Sequence, residues 1–249
     1  MQTQGFVSFI GAGPGDPELI TVKGAKRLQQ ADRIIYAGSL VPQALLPAHI
    51  PAIDSAPLTL EAIIALMEET TRQGGMVARL HTGDPSLYGA LQEECASLRQ
   101  ANIPFEVIPG VTAACAAAAK AAISFTIPGA TQTLILTRLA GRTPMPKEED
   151  IRLLASHKSA LAVYLAGKQA SLLQQQLEEV LPEDTPILIA HKVGHPEEAL
   201  HWTRLQNLAA CVGKHHMERQ SVILILPHSN HGNARSKLYD PAFSHGFRS

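Results

Sequence analysis

Apolar residues along this 249-residue chain fall into short runs, separated by longer stretches in which apolar positions recur every three or four residues. Runs at 6–10, 33–36, 76–80, 105–108, 133–137, 161–165, 187–190 and 222–226 predict strands. After Thr59, the positions Leu60, Ile63, Ile64 and Met67 make one apolar helical face, which Gly74 and Gly75 bring to a stop. A second helix is predicted over 87–101, and Thr112 is placed to cap a third through the alanine-rich stretch to Ala122. Leu172, Leu173, Leu177 and Val180 have helical spacing as well, suited to a core or a dimer surface. Strands alternate with helices up to about Ile127, which predicts a mostly parallel sheet. Beyond Pro128 and Gly129 strands follow one another with less regular helices. The expectation is therefore an α/β protein of two α/β domains: 1–127 with the parallel sheet and 128–232 with a mixed one. Residues 233–249 are polar, and a loose tail is expected there.

Composition narrows the function. At 45% hydrophobic and 17% charged residues the chain is a globular one, and a formal net charge of -1 supplies no field for holding nucleic acid. Cys95, Cys115 and Cys211 are odd in number and far apart, so neither a disulfide framework nor a zinc site is expected, and the setting is read as a reducing cytoplasm. No basic start leads into an apolar segment, and no apolar run approaches the roughly 18 residues of a membrane span. His215 with His216, and His228 with His231, lack a carboxylate or cysteine to complete a ligand set; no metal is expected.

Three turns rich in glycine follow three of the predicted strands: FIGAGPGDPELIT at 9–21, HTGDPSLYGA at 81–90 and PGVTAA at 109–114. At the carboxyl edge of one parallel sheet they would meet where open α/β sheets bind ligands. The first is not a dinucleotide turn: Gly11, Gly13 and Gly15 have the wrong spacing, Pro14 lacks the N–H that a diphosphate needs, and Asp16 repels one. It suits either a ligand without phosphates that approaches the backbone closely, or a tight strand-to-helix turn with no ligand at all.

Together, GAGPGDPELIT, TGDPSLYG and PGVTAA resemble the tetrapyrrole methylases, over roughly residues 5–228. YAGSLV at 36–41 and TRLAGRTPMPKEED at 137–150 are similar to the branch of that family that methylates carbon 11 of precorrin-4 or cobalt-precorrin-4 in cobalamin biosynthesis. The resemblance implies a two-domain fold unlike the Rossmann-type methyltransferases, S-adenosylmethionine as methyl donor with S-adenosylhomocysteine as product, and a homodimer. It also implies a cofactor site of Pro14, then Thr82, Gly83, Asp84 and Leu87, then Thr112 and Ala113, with Leu165 and Val193 from the second domain. Leu165 stands where relatives carry methionine, which keeps the pocket apolar.

Methylation at carbon depends on alignment and desolvation more than on a strong base. The ring is its own nucleophile, so the sole catalytic candidate is His81, as acceptor of a pyrrole proton; a histidine at a strand end also serves as plain hydrogen-bonded structure. The substrate that the family implies is flat and rich in carboxylates, for which arginine forks are suited. Arg79, Arg138 and Arg142 are the substrate candidates, with Lys168 and Lys192 near them in character, and each singly also reads as surface charge. Ser39 either bonds the ligand or caps a turn. Two other functions compete: the same chemistry on ribosomal RNA or a protein side chain, which the near-zero charge disfavours, and a binding module that turns nothing over.

Overall fold

The computed structural model describes residues 5–229. They pack as two compact units, the first made of the chain up to Ala116 with Lys192–Pro196, the second of the chain from Ala117 to His191 and from Glu197 onward. The expected tail at 233–249 lies outside the described residues.

In the first unit the strands are β1 (Phe6–Gly11), β2 (Arg33–Tyr36), β3 (Ala52–Asp54), β4 (Met76–His81) and β5 (Phe105–Ile108). They form one sheet in the order β3-β2-β4-β1-β5, parallel throughout. The helices are α1 (Val22–Gln29), α2 (Leu60–Arg72), α3 (Leu91–Gln100) and α4 (Ala113–Lys120), the last of which reaches past Ala116. Successive strand residues point to opposite faces. Val7, Phe9, Ile35 and Val77 pack with Ile63, Ile64 and Met67 of α2, while Ile10, Ile34, Ala78 and Leu80 pack with Leu28 of α1. Both faces are covered, as in parallel sheets generally. Thr21 and Thr59 cap α1 and α2 by accepting from Gly24 N and Ala62 N. The helix expected from residue 87 starts at Leu91, because Tyr88 (φ 57°) and Ala90 (φ 52°) are left-handed and interrupt the helical path.

The second unit holds β6 (Leu134–Arg138), β7 (Ala160–Tyr164), β8 (Pro186–His191), β9 (Ala199–Arg204) and β10 (Ser221–Ile225), in the order β6-β7-β10-β8-β9. Only β6 and β7 pair in parallel; β10 is antiparallel to β7 and to β8, and β8 to β9. The sheet is mixed, as expected, and β6, β7 and β8 all end at one edge of it. Helices α5 (Ile151–Ser156), α6 (Ala170–Glu178) and α7 (Leu208–Lys214) cover its core, where Leu173 and Leu177 lie against Leu161, Val163, Ile189 and Ile223. The helical spacing at 172–180 therefore marks a core face. Two edge strands, β3 and β9, escaped the hydrophobic pattern: β3 has three residues, and β9 leaves Trp202 51% exposed.

Candidate functional site

The connection from β1 leads to β2 on one side, and the connection from β4 leads to β5 on the other. Such a reversal opens a crevice at the carboxyl ends of the two neighbouring strands. The three glycine-containing turns emerge there, bonded to one another. Ala12 N donates to His81 O at 2.8 Å, Gly83 N to Gly13 O at 2.7 Å and Gly13 N to Gly83 O at 3.2 Å. A Cβ on Gly110 would lie 2.0 Å from Gly83 O, and one on Gly11 would lie 2.5 Å from Gly110 Cα. These glycines are needed where one turn presses on the next.

Asp84 is the staple of the set. Its carboxylate accepts from Gly110 N at 2.9 Å and from Ser86 N at 2.8 Å, and from the Ser86 hydroxyl as well. Partial burial pushes its pKa up, but the hydrogen bonds from Ser86 and Gly110 outweigh that and hold it below the usual carboxylate range. Thr82, Leu87, Thr112 and Ala113 are half-buried on the same turns, and Pro14 is buried on the first. Val193 also arrives in this unit: it is 4% exposed, and a Cβ on Gly15 would meet its carbonyl at 2.8 Å and the His195 ring at 2.4 Å. Gly194 is left-handed (φ 82°) against Asp16 N. The segment Gly194-His195 was not singled out from the sequence. Its signal was a glycine just past a strand, as in the other three turns.

Arg79 and His81 do not reach this edge as ligand-facing groups. Arg79 is 5% exposed, and its guanidinium donates to Glu94 at 2.9 and 3.1 Å and to Ser55 Oγ at 2.8 Å. The expected grip on a substrate carboxylate gives way to a grip on the protein's own. His81 is 3% exposed, set among Phe9, Gly89 and Glu94, with Nε2 3.4 Å from Glu94 Oε2 and without an aligned hydrogen bond. A proton acceptor must face the molecule that gives up the proton; the expected catalytic role is withdrawn for that reason. Burial pushes the Glu94 carboxyl up, and the neighbouring His81 and Arg79 more than reverse this, leaving it below its ordinary value.

In the second unit Leu165 directly follows β7, left-handed (φ 56°) and 71% exposed. Arg138 closes β6, and its guanidinium donates to three backbone carbonyls, those of Leu139, Thr143 and Pro144, so it too is spent within the protein. Arg142 is exposed on the loop between those carbonyls. The side chain of Ser39 lies outside the described residues. Among the described residues no group of three or more His, Cys, Asp or Glu side chains could hold a metal, and no helix is long and apolar enough to cross a membrane.

The sequence model of the Tetrapyrrole (Corrin/Porphyrin) Methylases matches residues 7–209, which include all three turns. The chain belongs to that family. Among curated tetrapyrrole methylases it is 43% identical to the cobalt-precorrin-4 C(11)-methyltransferase of Priestia megaterium, covering 96% of each chain. It is also 43% identical to the precorrin-4 C(11)-methyltransferase of Pseudomonas aeruginosa, over 97% of this chain and 98% of that one. The solved structure of the cobalt-precorrin-4 methyltransferase CbiF superposes with a TM-score of 0.86 at 40% identity, over 90% of this chain and 95% of CbiF. A uroporphyrin-III C-methyltransferase from Thermus thermophilus, solved with S-adenosyl homocysteine, gives a TM-score of 0.74 at 26% identity, over 88% of this chain and 91% of its own.

Proposed function

We propose that this tetrapyrrole methylase transfers a methyl group from S-adenosylmethionine to carbon 11 of precorrin-4, or of its cobalt-containing form, during construction of the corrin ring. The observation that carries the reading is 43% identity, along nearly the whole chain, to relatives of that name. Because the identity is the same to the cobalt and the cobalt-free enzyme, both rings stay within it.

The turns suit such a donor. Carboxylates at Asp16 and Asp84 and a proline without an N–H disfavour phosphate and favour a cation. S-adenosylmethionine supplies a methyl group on a sulfonium, with sulfur as the leaving atom. Pro14, Thr82, Gly83, Asp84, Leu87, Thr112, Ala113 and Val193 would hold it. Their part is to orient the methyl group and exclude water, with Asp84 keeping two turns in register. Leu165, exposed and apolar at a strand end, is read as a further contact of the donor. Arg142, the candidate arginine with no partner among the described residues, would pair with a ring carboxylate. A homodimer in the cytoplasm goes with this reading.

Calorimetry with S-adenosylmethionine followed by turnover with each ring tests it. One S-adenosylhomocysteine formed per macrocycle is expected. Binding of the donor with no product from either ring would instead favour a module that binds without turnover.

A further inference from the structure

Residues 139–151 start and finish in the same core: Leu139 is 7% exposed and Ile151 3%, and both belong to the apolar cluster of the second unit. Between these anchors the chain leaves the surface, and Ala140 to Pro144 are exposed. Such a loop would move freely unless something held it.

Arg138 holds it. One guanidinium nitrogen donates to Leu139 O at 3.0 Å and to Thr143 O at 3.2 Å, and the other donates to Pro144 O at 2.9 Å. Gly141 N adds a bond to Thr143 O at 3.1 Å, closing a tight turn around residue 142. Asp150 finishes the loop by capping α5 and pairing with Arg152, whose hydrogen bonds hold the Asp150 pKa down to about 2. At the tip, Arg142 makes no hydrogen bond or ion pair among the described residues. The two arginines thus divide the work: one is wholly committed to backbone, and the other is displayed by the backbone it commits.

We infer that Arg138 is a positioning residue, which fixes the 139–146 loop so that Arg142 meets a carboxylate of the tetrapyrrole. The inference rests on the proposed function above. A loop already held in its binding shape loses less freedom when the ligand arrives, and a guanidinium fork aimed beforehand selects a planar carboxylate. Three carbonyls in different directions need a planar donor with several N–H groups. A lysine ammonium at position 138 is a compact point charge on a flexible stem and does not reproduce that fork.

The test compares R138K, R138M, R142A and R138M/R142A by KM for the ring, Kd for S-adenosylmethionine, thermal melting and hydrogen exchange at 140–146. R138M and R142A should each raise the ring KM by about tenfold or more, with donor Kd changed by less than about twofold. The double variant should be no worse than about twofold beyond R142A, since Arg138 acts through Arg142. Exchange at 140–146 should quicken in R138M and R138K, and R138K, which keeps the charge, should still raise the ring KM. A ring KM unchanged in R138M and R138K, with or without lowered melting, overturns the inference, as does a double variant whose KM is the product of the two single effects. Should the wild-type enzyme methylate neither ring, the functional reading falls and the inference falls with it. Methylation by wild type with indifferent R138 variants overturns the inference alone.

Discussion

Asp84 Oδ2 accepts from Gly110 N at 2.9 Å, joining the turn after β4 to the turn after β5 through one carboxylate. The aspartate was expected to face the donor; what the structure shows it doing is holding the two turns together. Replacing it by alanine frees the N–H groups of Gly110 and Ser86. Loss of hydrogen bonds to a charged group destabilises by about 1.5–3 kcal/mol, and D84A should melt lower while binding S-adenosylmethionine at least about tenfold more weakly. Thermal unfolding and calorimetry on one preparation measure both. A normal donor Kd with a lowered melting temperature would confine Asp84 to stability.

Gly110 and Gly83 separate close packing from backbone strain. In G110A the new methyl would stand 2.0 Å from Gly83 O, so two backbones must part. In G83A the nearest atom is 3.8 Å away, and only the left-handed φ of 67° resists. The second change should cost about 1–2 kcal/mol, and the first clearly more, with loss of donor binding. Chemical denaturation of the two variants gives the ranking, and equal costs would contradict it.

Glu94 and Arg79 form a buried ion pair under the loop that carries Thr82, Gly83 and Asp84, with side-chain exposures of 2% and 6%. Removing one partner strands the other charge, so E94A should lose about 3–5 kcal/mol. The Glu94 pKa lies below its unfolded value, so its stabilisation is fully present above about pH 4.3 and is lost as pH falls through the folded-state value. A double change to apolar residues, R79M/E94L, should cost much less than E94A and should flatten the acid side of the stability profile. Urea midpoints at pH 7 and at pH 4 report this. An unchanged acid slope would exclude Glu94 as its source.

Leu165 is held left-handed, a conformation that glycine adopts without penalty. L165G should leave stability unchanged or raise it by up to about 1 kcal/mol, because relief of strain is offset by greater freedom of the unfolded chain. The same change removes an exposed apolar side chain at the end of β7, and donor affinity should fall. Melting and calorimetry together distinguish this from a leucine that serves neither end; tighter or unchanged donor binding would remove it from the site.

The sequence made both sheets legible through runs such as FVSFI and ILIA, because residues covered on two faces leave an apolar record in the chain. The strands β3 and β9 left little, since an edge strand that exposes a residue such as Trp202 has no continuous run to read. At the site, the three turns were visible as glycines after strands, and their mutual packing at Gly11, Gly83 and Gly110 explains why glycine recurs there. The arginines show where such reading ends. Arg79, Arg138 and Arg142 look alike in sequence, yet one pairs with a buried glutamate fifteen residues on, one clasps its own loop and one is displayed. Nothing in local spacing reports a partner that folding brings from elsewhere. The resemblance in GAGPGDPELIT and TGDPSLYG was needed to turn a generic ligand crevice into a methylase.

The measurement that bears most directly on the central claim uses S-adenosylmethionine labelled in its methyl carbon, with precorrin-4 in one reaction and cobalt-precorrin-4 in another, and locates the label on the ring by NMR. The account predicts a single new labelled methyl group at carbon 11 of at least one of the two rings. Label at another carbon, or none on either ring while the donor stays bound, would contradict it.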